Sequence, residues 1–475
     1  MESVWRERLA RHRRSLAIAV GMAAAGVLAL GAASVGQAIE ARDTAADYTP
    51  GEKFEPLAAS SPCVGALDDP FVLPSGYDQQ VVAQEPEGGT VDLWDMNTQN
   101  EFGKDAGRYV YRTHEVGAPP GSQVSVTDLQ TGETEVLAQR ADWERFDGIV
   151  WTPWGTILAA EETIQAAVRD PQVPNARAGL VYEYFVDPDD PSELDTDDPR
   201  DNVAPFDDGV AVRPALGSKS HEGMRFDGRG YHYGISESSP GGIFRFKPER
   251  EGDLSEGVLQ ALRTENGRTG EGRWVTIPAS AARTDAQAAA TARGANGYNR
   301  PEDVETGEST GVDVNNSGNT LYVAMTGTDE VIAVDLSAKN RPFAYQYVGA
   351  TEAGNTTSPE FDSPDNLALD REGNLAITED PGGIPPAKTM GDDIWIAEPQ
   401  SGTRQPAGEV ARFASIKDCI AEPTGVYFAL EGTSEFTAGT PREVLVTDES
   451  LFVNRQHAGQ GTVFDQFVSI APVDE

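Results

Sequence analysis

The chain has 475 residues and carries 77 acidic against 37 basic side chains, which gives a formal net charge of −40. A surface this acidic repels the phosphate backbone, so the charge argues against nucleic acid as a partner. The length allows one large domain or two to three small ones.

The first 38 residues are typical of an export signal. An arginine-rich head ends at Arg13 and Arg14, an apolar stretch follows at 15–35, and the small residues Gly36 and Ala38 suit a cleavage site. Two arginines directly before the apolar stretch favour the twin-arginine route. We therefore expect a periplasmic or extracellular protein whose mature form makes no membrane contact. An uncleaved membrane anchor is the alternative.

Residues 39–70 are rich in Pro, Ala and Asp and predict a linker before the folded domain. This stretch holds Cys63, and the second of the two cysteines, Cys419, lies near the end of the chain. Disulfides persist outside the cytoplasm, so a bridge between the two would join the start of the mature domain to its end. Two free thiols are the alternative.

From residue 71 to 475, short apolar runs alternate with clusters of Gly, Pro, Asn and Asp, which is the pattern of successive β-strands. Helical periodicity is confined to residues 279–294. The polar stretches 185–210 and 249–275 predict insertion loops. The expected fold class is therefore all-β with one short helix.

Three segments of equal length can be aligned without gaps: 147–162, 222–237 and 365–380. Each begins and ends with a carboxylate and has a glycine eight residues after its start. This spacing predicts a hairpin in which the glycine turns the chain and both carboxylates lie at the opposite end. Segments that start at Glu302 and Glu422 resemble further copies.

Repeated antiparallel units over residues 71–475 predict a β-propeller, with six blades as the expected number. The opening strands would surround the axis, and their leading carboxylates would meet at one mouth of the channel. An alternative is that these side chains are ordinary solvated carboxylates beside turns. The leading carboxylates are Asp147, Glu222, Glu302, Asp365 and Glu422.

Carboxylates gathered in one channel cannot all stay ionised without compensating charge. Hard oxygen ligands favour calcium. Glu162, Glu237 and Asp380 end the aligned segments and would reach the same rim. His221 and His457 lie next to such segments and are candidate ligands or acid–base groups, with a structural hydrogen-bonding role as the alternative.

Arg300 stands two residues before Glu302, and Pro301 between them stiffens the backbone. A guanidinium matches phosphate oxygens bidentately. We therefore expect Arg300 to bind an anion held at the carboxylate cluster. A plain salt bridge to a carboxylate is the alternative.

Five stretches, taken in order, resemble the PhoX-type alkaline phosphatase family: TPWGTILAAEE, HEGMRFDGRGY, RPEDVE, SPDNLALDREGNLAITED and FVNRQHAG. The resemblance covers about 140–460 and implies an exported β-propeller enzyme that uses calcium and iron. By matched position it implies that Arg300 contacts phosphate. It also implies four metal-ligand carboxylates: Glu162, Glu222, Glu302 and Asp365.

One position departs from the family pattern. The best-known members have a cysteine, an iron ligand, five residues before the threonine of TPWG, and this chain has Asp147 there. Thiolate favours iron and carboxylate favours calcium, so calcium is the expected metal and the case for iron is weaker.

The resemblance predicts a metal-dependent phosphomonoesterase, active as a monomer on small organic phosphates, with Arg300 and Glu302 as catalytic residues. Two alternatives stay open. One is a calcium-dependent propeller hydrolase of another class, a lactonase or a phosphotriesterase. The other is a non-catalytic calcium-binding propeller.

Overall fold

The computed structural model describes residues 54–65, 68–85, 92–198, 200, 208–307, 319–349, 358–383, 385–439, 444–457 and 464–473. The predicted export signal and the first part of the predicted linker lie outside these ranges. Within them, no helix is long and apolar enough to cross a membrane.

The described residues form 26 strands, as the all-β prediction requires. The first ten are β1 (Phe71–Val72), β2 (Tyr77–Gln84), β3 (Trp94–Gln99), β4 (Tyr109–His114), β5 (Gln123–Asp128), β6 (Glu133–Gln139), β7 (Phe146–Trp151), β8 (Ile157–Glu161), β9 (Val181–Tyr184) and β10 (Val210–Val212). The next nine are β11 (Met224–Phe226), β12 (His232–Ile235), β13 (Ile243–Arg250), β14 (Asp253–Thr264), β15 (Gly270–Thr276), β16 (Pro301–Glu305), β17 (Thr320–Met325), β18 (Glu330–Asp335) and β19 (Phe343–Val348). The last seven are β20 (Pro364–Leu369), β21 (Leu375–Glu379), β22 (Asp393–Ala397), β23 (Val410–Ile416), β24 (Ala421–Phe428), β25 (Leu451–His457) and β26 (Gln466–Pro472).

Helical structure is sparse in the same residues. The predicted helix at 279–294 is confirmed as α1 (Ala279–Ala292), and α2 (Ser434–Thr437) is a single turn. The backbone of α1 is interrupted at Asp285. The Asp285 Oδ1 atom accepts a hydrogen bond of 2.8 Å from the Ala288 backbone N–H, so this carboxylate caps the second half of the helix.

The strands form five antiparallel sheets. Two of these are meanders of four strands, β3 to β6 and β7 to β10. A nine-stranded sheet contains β11 to β19 and is continuous because β15 pairs with β19. The remaining two sheets each take up a strand from the start of the chain: β1 pairs with β23, and β2 pairs with β26. The start and end of the folded region are therefore joined by backbone hydrogen bonds.

The opening strands of the repeated units lie around one axis. Strands β3, β7, β11, β16, β20 and β24 contact one another in that order, and β24 in turn contacts β3. Antiparallel sheets arranged around a closed ring of inner strands are the pattern of a β-propeller. The fold is therefore all-β and propeller-like, as the repeats predict.

Large apolar side chains fill the space between neighbouring sheets. Between the first two meanders, the ring of Trp143 lies 5.1 Å from that of Phe146 and 5.4 Å from that of Tyr182, centroid to centroid. All three side chains are fully buried. Burial of a side chain such as Phe146 contributes about 1.5–3 kcal/mol. Packing of this kind holds the sheets rigidly, so the ends of the inner strands have fixed positions.

The three aligned segments are hairpins, as their spacing predicts. They correspond to β7–β8, β11–β12 and β20–β21, which pair antiparallel. Their turn glycines have φ of 83° at Gly155, 71° at Gly230 and 87° at Gly373. Residues with a side chain rarely adopt this left-handed backbone conformation, which explains why glycine stands at the same place in each segment. The predicted return of the Glu422 segment is also confirmed, because β24 pairs with β25.

The loop predicted at 249–275 is wrong, because this stretch contains β14 and β15 and the turn that joins β14 to β13. In β14 the exposed Ser255 and Glu256 stand among the buried Leu254, Leu259 and Leu262. Polar residues on the outer face of β14 hid the alternation of apolar and polar residues that predicts a strand with one buried face.

The predicted linker is part of the folded body from Phe54 onward. The Phe54 ring packs edge-on against those of Tyr77 and Phe413, with centroids 6.5 Å and 5.1 Å away. The Ser61 backbone N–H donates a 2.7 Å hydrogen bond to Ser415 Oγ. Residues 54–65 therefore lie against β2 and β23, which belong to two sheets, and the Pro-, Ala- and Asp-rich composition of the predicted linker did not reveal these contacts.

Cys63 and Cys419 form a disulfide in the structure, with their Cα atoms 5.3 Å apart and a separation of 356 positions along the chain. The bond fastens the segment before β1 to the residues that lead from β23 into β24. It therefore adds a covalent link to the hydrogen-bonded closure between the start and the end of the chain.

We predict that the double variant Cys63→Ser, Cys419→Ser is less stable than the wild type. A crosslink that closes so long a loop restricts the unfolded chain, and the loop-entropy model gives about 4–5 kcal/mol, which native-state strain reduces. Peptide mass spectrometry without reduction should recover the linked pair, and calorimetry should show a lower melting temperature for the variant. Two alkylatable thiols in the native protein would contradict the prediction.

Candidate functional site

Six opening strands each bring one carboxylate toward the axis, at or just before the start of the strand. We call this set the inner ring, and its members are Asp95, Asp147, Glu222, Glu302, Asp365 and Glu422. Four of them are buried, while Asp365 and Glu422 are partly buried. The ring contains all five leading carboxylates that the sequence predicts and adds Asp95.

A break in strand pairing aims these side chains inward. The regular register shifts between Trp94 and Asn97, and it shifts in the same way in β7, β16 and β20. In each case the ring carboxylate is the first residue of the irregular step. Such bulges bend a strand and redirect a side chain, and they are frequent beside active sites.

Threonine hydroxyls replace the hydrogen bonds that two of these bulges remove. The backbone N–H of Met96 donates to Thr113 Oγ1 over 3.1 Å, and that of Asn366 donates to Thr378 Oγ1 over 2.9 Å. Each N–H belongs to the residue after a ring carboxylate. Because the freed backbone groups find partners, the bulges are part of the stable fold.

A second set of carboxylates follows the second strands of the hairpins, and we call it the outer ring: Glu115, Glu162, Glu237 and Asp380. The backbone N–H of each donates to the carbonyl of the residue two positions before an inner-ring carboxylate. These donor–acceptor distances are 2.9 Å for Glu115 to Leu93, 2.8 Å for Glu162 to Arg145, 3.0 Å for Glu237 to Ser220 and 2.9 Å for Asp380 to Ser363. Thr326 holds the equivalent position after β17 and donates to the Arg300 carbonyl over 3.0 Å.

The two rings enclose a cavity of about 170 Å³ at one end of the channel. Among the described residues its lining consists of Arg300, Thr424 and nine carboxylates: Asp95, Glu115, Asp147, Glu162, Glu222, Glu302, Asp365, Asp380 and Glu422. Glu222, Glu302 and Asp365 each place one oxygen within 4.8 Å of the others. The five residues predicted as metal ligands therefore share one cavity.

Burial and mutual repulsion change the acidity of these groups. Burial first, and neighbouring carboxylates second, raise the pKa of Asp147, Glu222 and Asp365 well above the ordinary value. The pKa values of Asp95 and Glu422 rise for the same reasons. Burial, with Glu115 and Glu237 close by, raises the pKa of Glu162 to about 10. In the metal-free protein Glu162 therefore keeps its proton at neutral pH, and the other five carboxyls hold theirs to a higher pH than ordinary carboxyls do.

Two buried oxygens of the inner ring, Asp147 Oδ1 and Glu222 Oε2, receive no hydrogen bond within the described part of the chain, and Glu302 Oε1 has an ion pair with Arg300 instead of a hydrogen bond. Leaving such oxygens without a partner is unfavourable. A hard cation takes carboxylate oxygens as ligands and also neutralises their charge. The residues present therefore fit bound divalent cations.

Arg300 stands on the rim with about half of its side chain exposed. Its Nε donates a 2.8 Å hydrogen bond to Glu237 Oε1, and its Nη2 lies 3.0 Å from Glu302 Oε1 in an ion pair. Although burial opposes it, the charges of Glu302 and Glu237 raise the pKa of Arg300 above its ordinary value. Its φ of 48° is uncommon for a residue other than glycine.

Neither candidate histidine lines the cavity. The His221 ring lies between Lys219 Nζ, 2.5 Å from Nδ1, and the Gly217 carbonyl, 2.8 Å from Nε2. The His457 Nδ1 atom lies 2.9 Å from Asp418 Oδ2. Both rings are buried and engaged elsewhere, so the alternative of a structural role describes them better than ligation does.

Asp95, Glu115 and Thr424 line the cavity but were missed in the sequence. Asp95 and Glu115 occupy the same positions in β3–β4 as Asp147 and Glu162 in β7–β8. A longer connection between the strands sets them 20 residues apart, so an alignment without gaps cannot find them. The signal that could have found Asp95 is a carboxylate at the second position of an apolar strand, as in WDMN and FDGI.

Comparison with known proteins gives one family match. The family described as alkaline phosphatase PhoX matches residues 150–459, about two thirds of the chain. No curated protein matches the chain by sequence.

Among solved structures, the chain is similar to Pseudomonas fluorescens PhoX in complex with vanadate, a transition state analogue. The TM-score is 0.56 at 18% identity, and the match covers 88% of this chain and 98% of that one. An auxiliary nutrient binding protein from Bacteroides thetaiotaomicron gives 0.45 at 12%, covering 86% and 75%. The aldose sugar dehydrogenase from Escherichia coli gives 0.41 at 12%, covering 84% and 100%. The first likeness supports the fold, and the other two indicate no function for this chain.

We predict that the chelated protein loses stability as pH rises from about 5 to 9. A carboxyl whose pKa is raised by folding binds its proton more tightly in the folded state than in the unfolded state. Between the two pKa values the folded state therefore holds more protons, and its free energy of unfolding falls with rising pH. For Glu162 this interval runs from its ordinary value up to about 10.

The measurement is the melting temperature across this pH range, with chelator and then with calcium. Calcium should flatten the dependence, because bound cations replace the protons, and Glu162→Gln should reduce the slope without metal. A melting temperature that rises with pH in the chelated protein would contradict this account of the rings.

Proposed function

The chain belongs to the alkaline phosphatase PhoX family, and we propose that its two carboxylate rings hold the cations of a phosphomonoesterase. In this proposal Arg300 binds the phosphoryl group of the substrate. The family makes the chain a hydrolase of phosphomonoesters. The observation that carries the rest of the proposal is that Arg300 and nine carboxylates line one cavity.

The donor set favours calcium. The described cavity lining offers carboxylate and hydroxyl oxygens and no thiolate, and hard oxygen donors suit calcium better than softer metals. We assign cation binding to Asp147, Glu162, Glu222, Glu302 and Asp365. The other carboxylates of the cavity lining are Asp95, Glu115, Asp380 and Glu422. When bound, such cations would polarise a phosphoryl oxygen as Lewis acids. Iron stays the weaker assignment because Asp147 stands where the resemblance implies cysteine.

Arg300 is the residue that binds the phosphoryl group. A guanidinium offers two parallel N–H donors that match two phosphoryl oxygens, and it stabilises the negative charge that grows on them during transfer. Glu237 and Glu302 hold the side chain from one side, and part of it faces solvent. The left-handed backbone fixes the direction in which it leaves the strand. Vanadate bound to Pseudomonas fluorescens PhoX is consistent with an anion site in this fold.

Glu302 links Arg300 to the rings. One of its oxygens lies beside the guanidinium, and it is among the three carboxylates that come within 4.8 Å of one another. A change at Glu302 would therefore disturb both the cation site and the orientation of Arg300. We place it in the catalytic machinery for this reason.

The finer features of the molecule follow from the same proposal. We assign six blades, with the nine-stranded sheet made of two units, β11 to β14 and β16 to β19, that β15 bridges. The substrates are small organic phosphates and the enzyme acts as a monomer. The arginine-rich leader and a disulfide that would persist outside the cytoplasm support export to the periplasm or beyond.

The function is tested by assaying the purified mature protein on a phosphomonoester, a phosphodiester and a lactone. We expect hydrolysis of the monoester, its loss after chelation, and its recovery with calcium alone. Preferred hydrolysis of the lactone or the diester would favour another class of propeller hydrolase. No hydrolysis of any of the three, with calcium bound, would favour a binding protein.

We predict that Arg300→Lys lowers kcat/KM for a phosphomonoester by about 10²-fold, the size typical of removing one donor to a developing oxyanion. Lysine keeps the positive charge but lacks the planar fork. The melting temperature should change little, since the side chain is half exposed. The matched control is Arg341→Lys, an exposed arginine paired with Glu271 away from the cavity. If Arg300→Lys lowers stability and activity together, the salt-bridge alternative is favoured.

A further inference from the structure

The residue two positions before an inner-ring carboxylate has the same backbone role in five of the units. Its carbonyl accepts a hydrogen bond from the residue that follows the second strand of the hairpin, and these residues are Leu93, Arg145, Ser220, Arg300 and Ser363. The first atoms of their side chains therefore leave the rim from equivalent places. Arg145 and Arg300 are the two basic members of this set.

Arg145 and Arg300 also share a backbone conformation. Their φ values are 47° and 48°, both in the left-handed region that non-glycine residues seldom adopt. Each directly precedes an inner strand, β7 for Arg145 and β16 for Arg300. The fold therefore presents two arginines on the rim in the same way.

The guanidinium of Arg145 lies outside the cavity lining but contacts a residue that belongs to it. Its Nη1 donates a 3.2 Å hydrogen bond to Glu115 Oε1, and Glu115 lines the cavity. The side chain is 58% exposed, more than that of Arg300 at 45%. Glu115 is its side-chain partner among the described residues, and a guanidinium has five N–H donors, so it can still bind an anion while it contacts Glu115.

We propose that Arg145 is a second substrate-contacting arginine, which binds an anionic group that the substrate carries in addition to the phosphoryl group under attack. The proposal rests on the proposed function. The second group is a carboxylate or a further phosphate, since a guanidinium fork fits either one. The favoured substrates are phosphomonoesters with two separated anionic groups.

The net charge of the molecule gives a physical reason for a second arginine beside the cavity. A chain with a net charge of −40 repels an anionic substrate, and each additional negative group on the substrate increases the repulsion. Strand β11 separates β7 from β16 in the ring of inner strands, so the two arginines stand on different sides of the mouth. Arg300 and Arg145 can therefore address different parts of one bound molecule.

The test compares phenyl phosphate with 3-carboxyphenyl phosphate, which differ by one carboxylate, at saturating calcium. Relative to wild type, Arg145→Gln should raise KM for the carboxylated ester about tenfold more than KM for phenyl phosphate, as expected for loss of a charged hydrogen bond. Arg145→Lys should recover part of this difference. The values of kcat should change in parallel for the two esters.

Arg341→Gln is the control for net charge, because it also removes an exposed arginine that pairs with one glutamate, Glu271, outside the cavity. It should leave the ratio of the two KM values unchanged. An equal rise of KM for both esters in Arg145→Gln, or no rise, would overturn the assignment of Arg145 while leaving the phosphatase intact. If wild-type protein hydrolyses neither ester, the proposed function fails first and the assignment fails with it.

Discussion

Repulsion between the carboxylates at one end of the channel governs how this molecule is built. Nine of them line the cavity with a single cationic side chain among the described residues that do so. Burial in a medium of low polarity strengthens this repulsion, and the acids respond by holding protons or by sharing cations. Asp147 Oδ1 and Glu222 Oε2, which receive no hydrogen bond in the described part of the chain, are positions where a bound cation would offset the cost of burial. The cluster is unfavourable without bound cations, and it therefore suits an enzyme that uses them.

The propeller supplies this arrangement by repetition. Each hairpin brings one carboxylate from its inner strand, in four of the six units from a bulge, and most bring a second from just after the return strand. The residue after the return strand donates a hydrogen bond to the carbonyl two positions before the inner-ring carboxylate. This bond keeps the two carboxylates of a hairpin close together at the same end. Different residues at these positions then give the units different chemical roles. Thr326 replaces a carboxylate beside Arg300, and Arg145 and Arg300 replace the leucine or serine found elsewhere.

Local spacing allowed much of this to be predicted from the sequence. Carboxylate, glycine and carboxylate at fixed separations describe one hairpin, so the hairpins and five inner-ring residues could be located without a structure. Asp95 and Glu115 escaped because the connection between β3 and β4 is longer. The orientation of His221 and His457 depends on Lys219 and Asp418, which pack against them only in the tertiary structure. The strands at 249–275 were hidden because their outer face is polar.

The central claim is that cations occupy the rings in the active enzyme. Anomalous X-ray diffraction from crystals of catalytically active protein tests it most directly, because it locates metal ions independently of the protein atoms. We expect anomalous peaks at ligand distance, about 2.3–2.6 Å for calcium, from Asp147 Oδ1 and Glu222 Oε2. Catalytically active protein with no anomalous peak within that distance of either oxygen would refute cation binding in the rings.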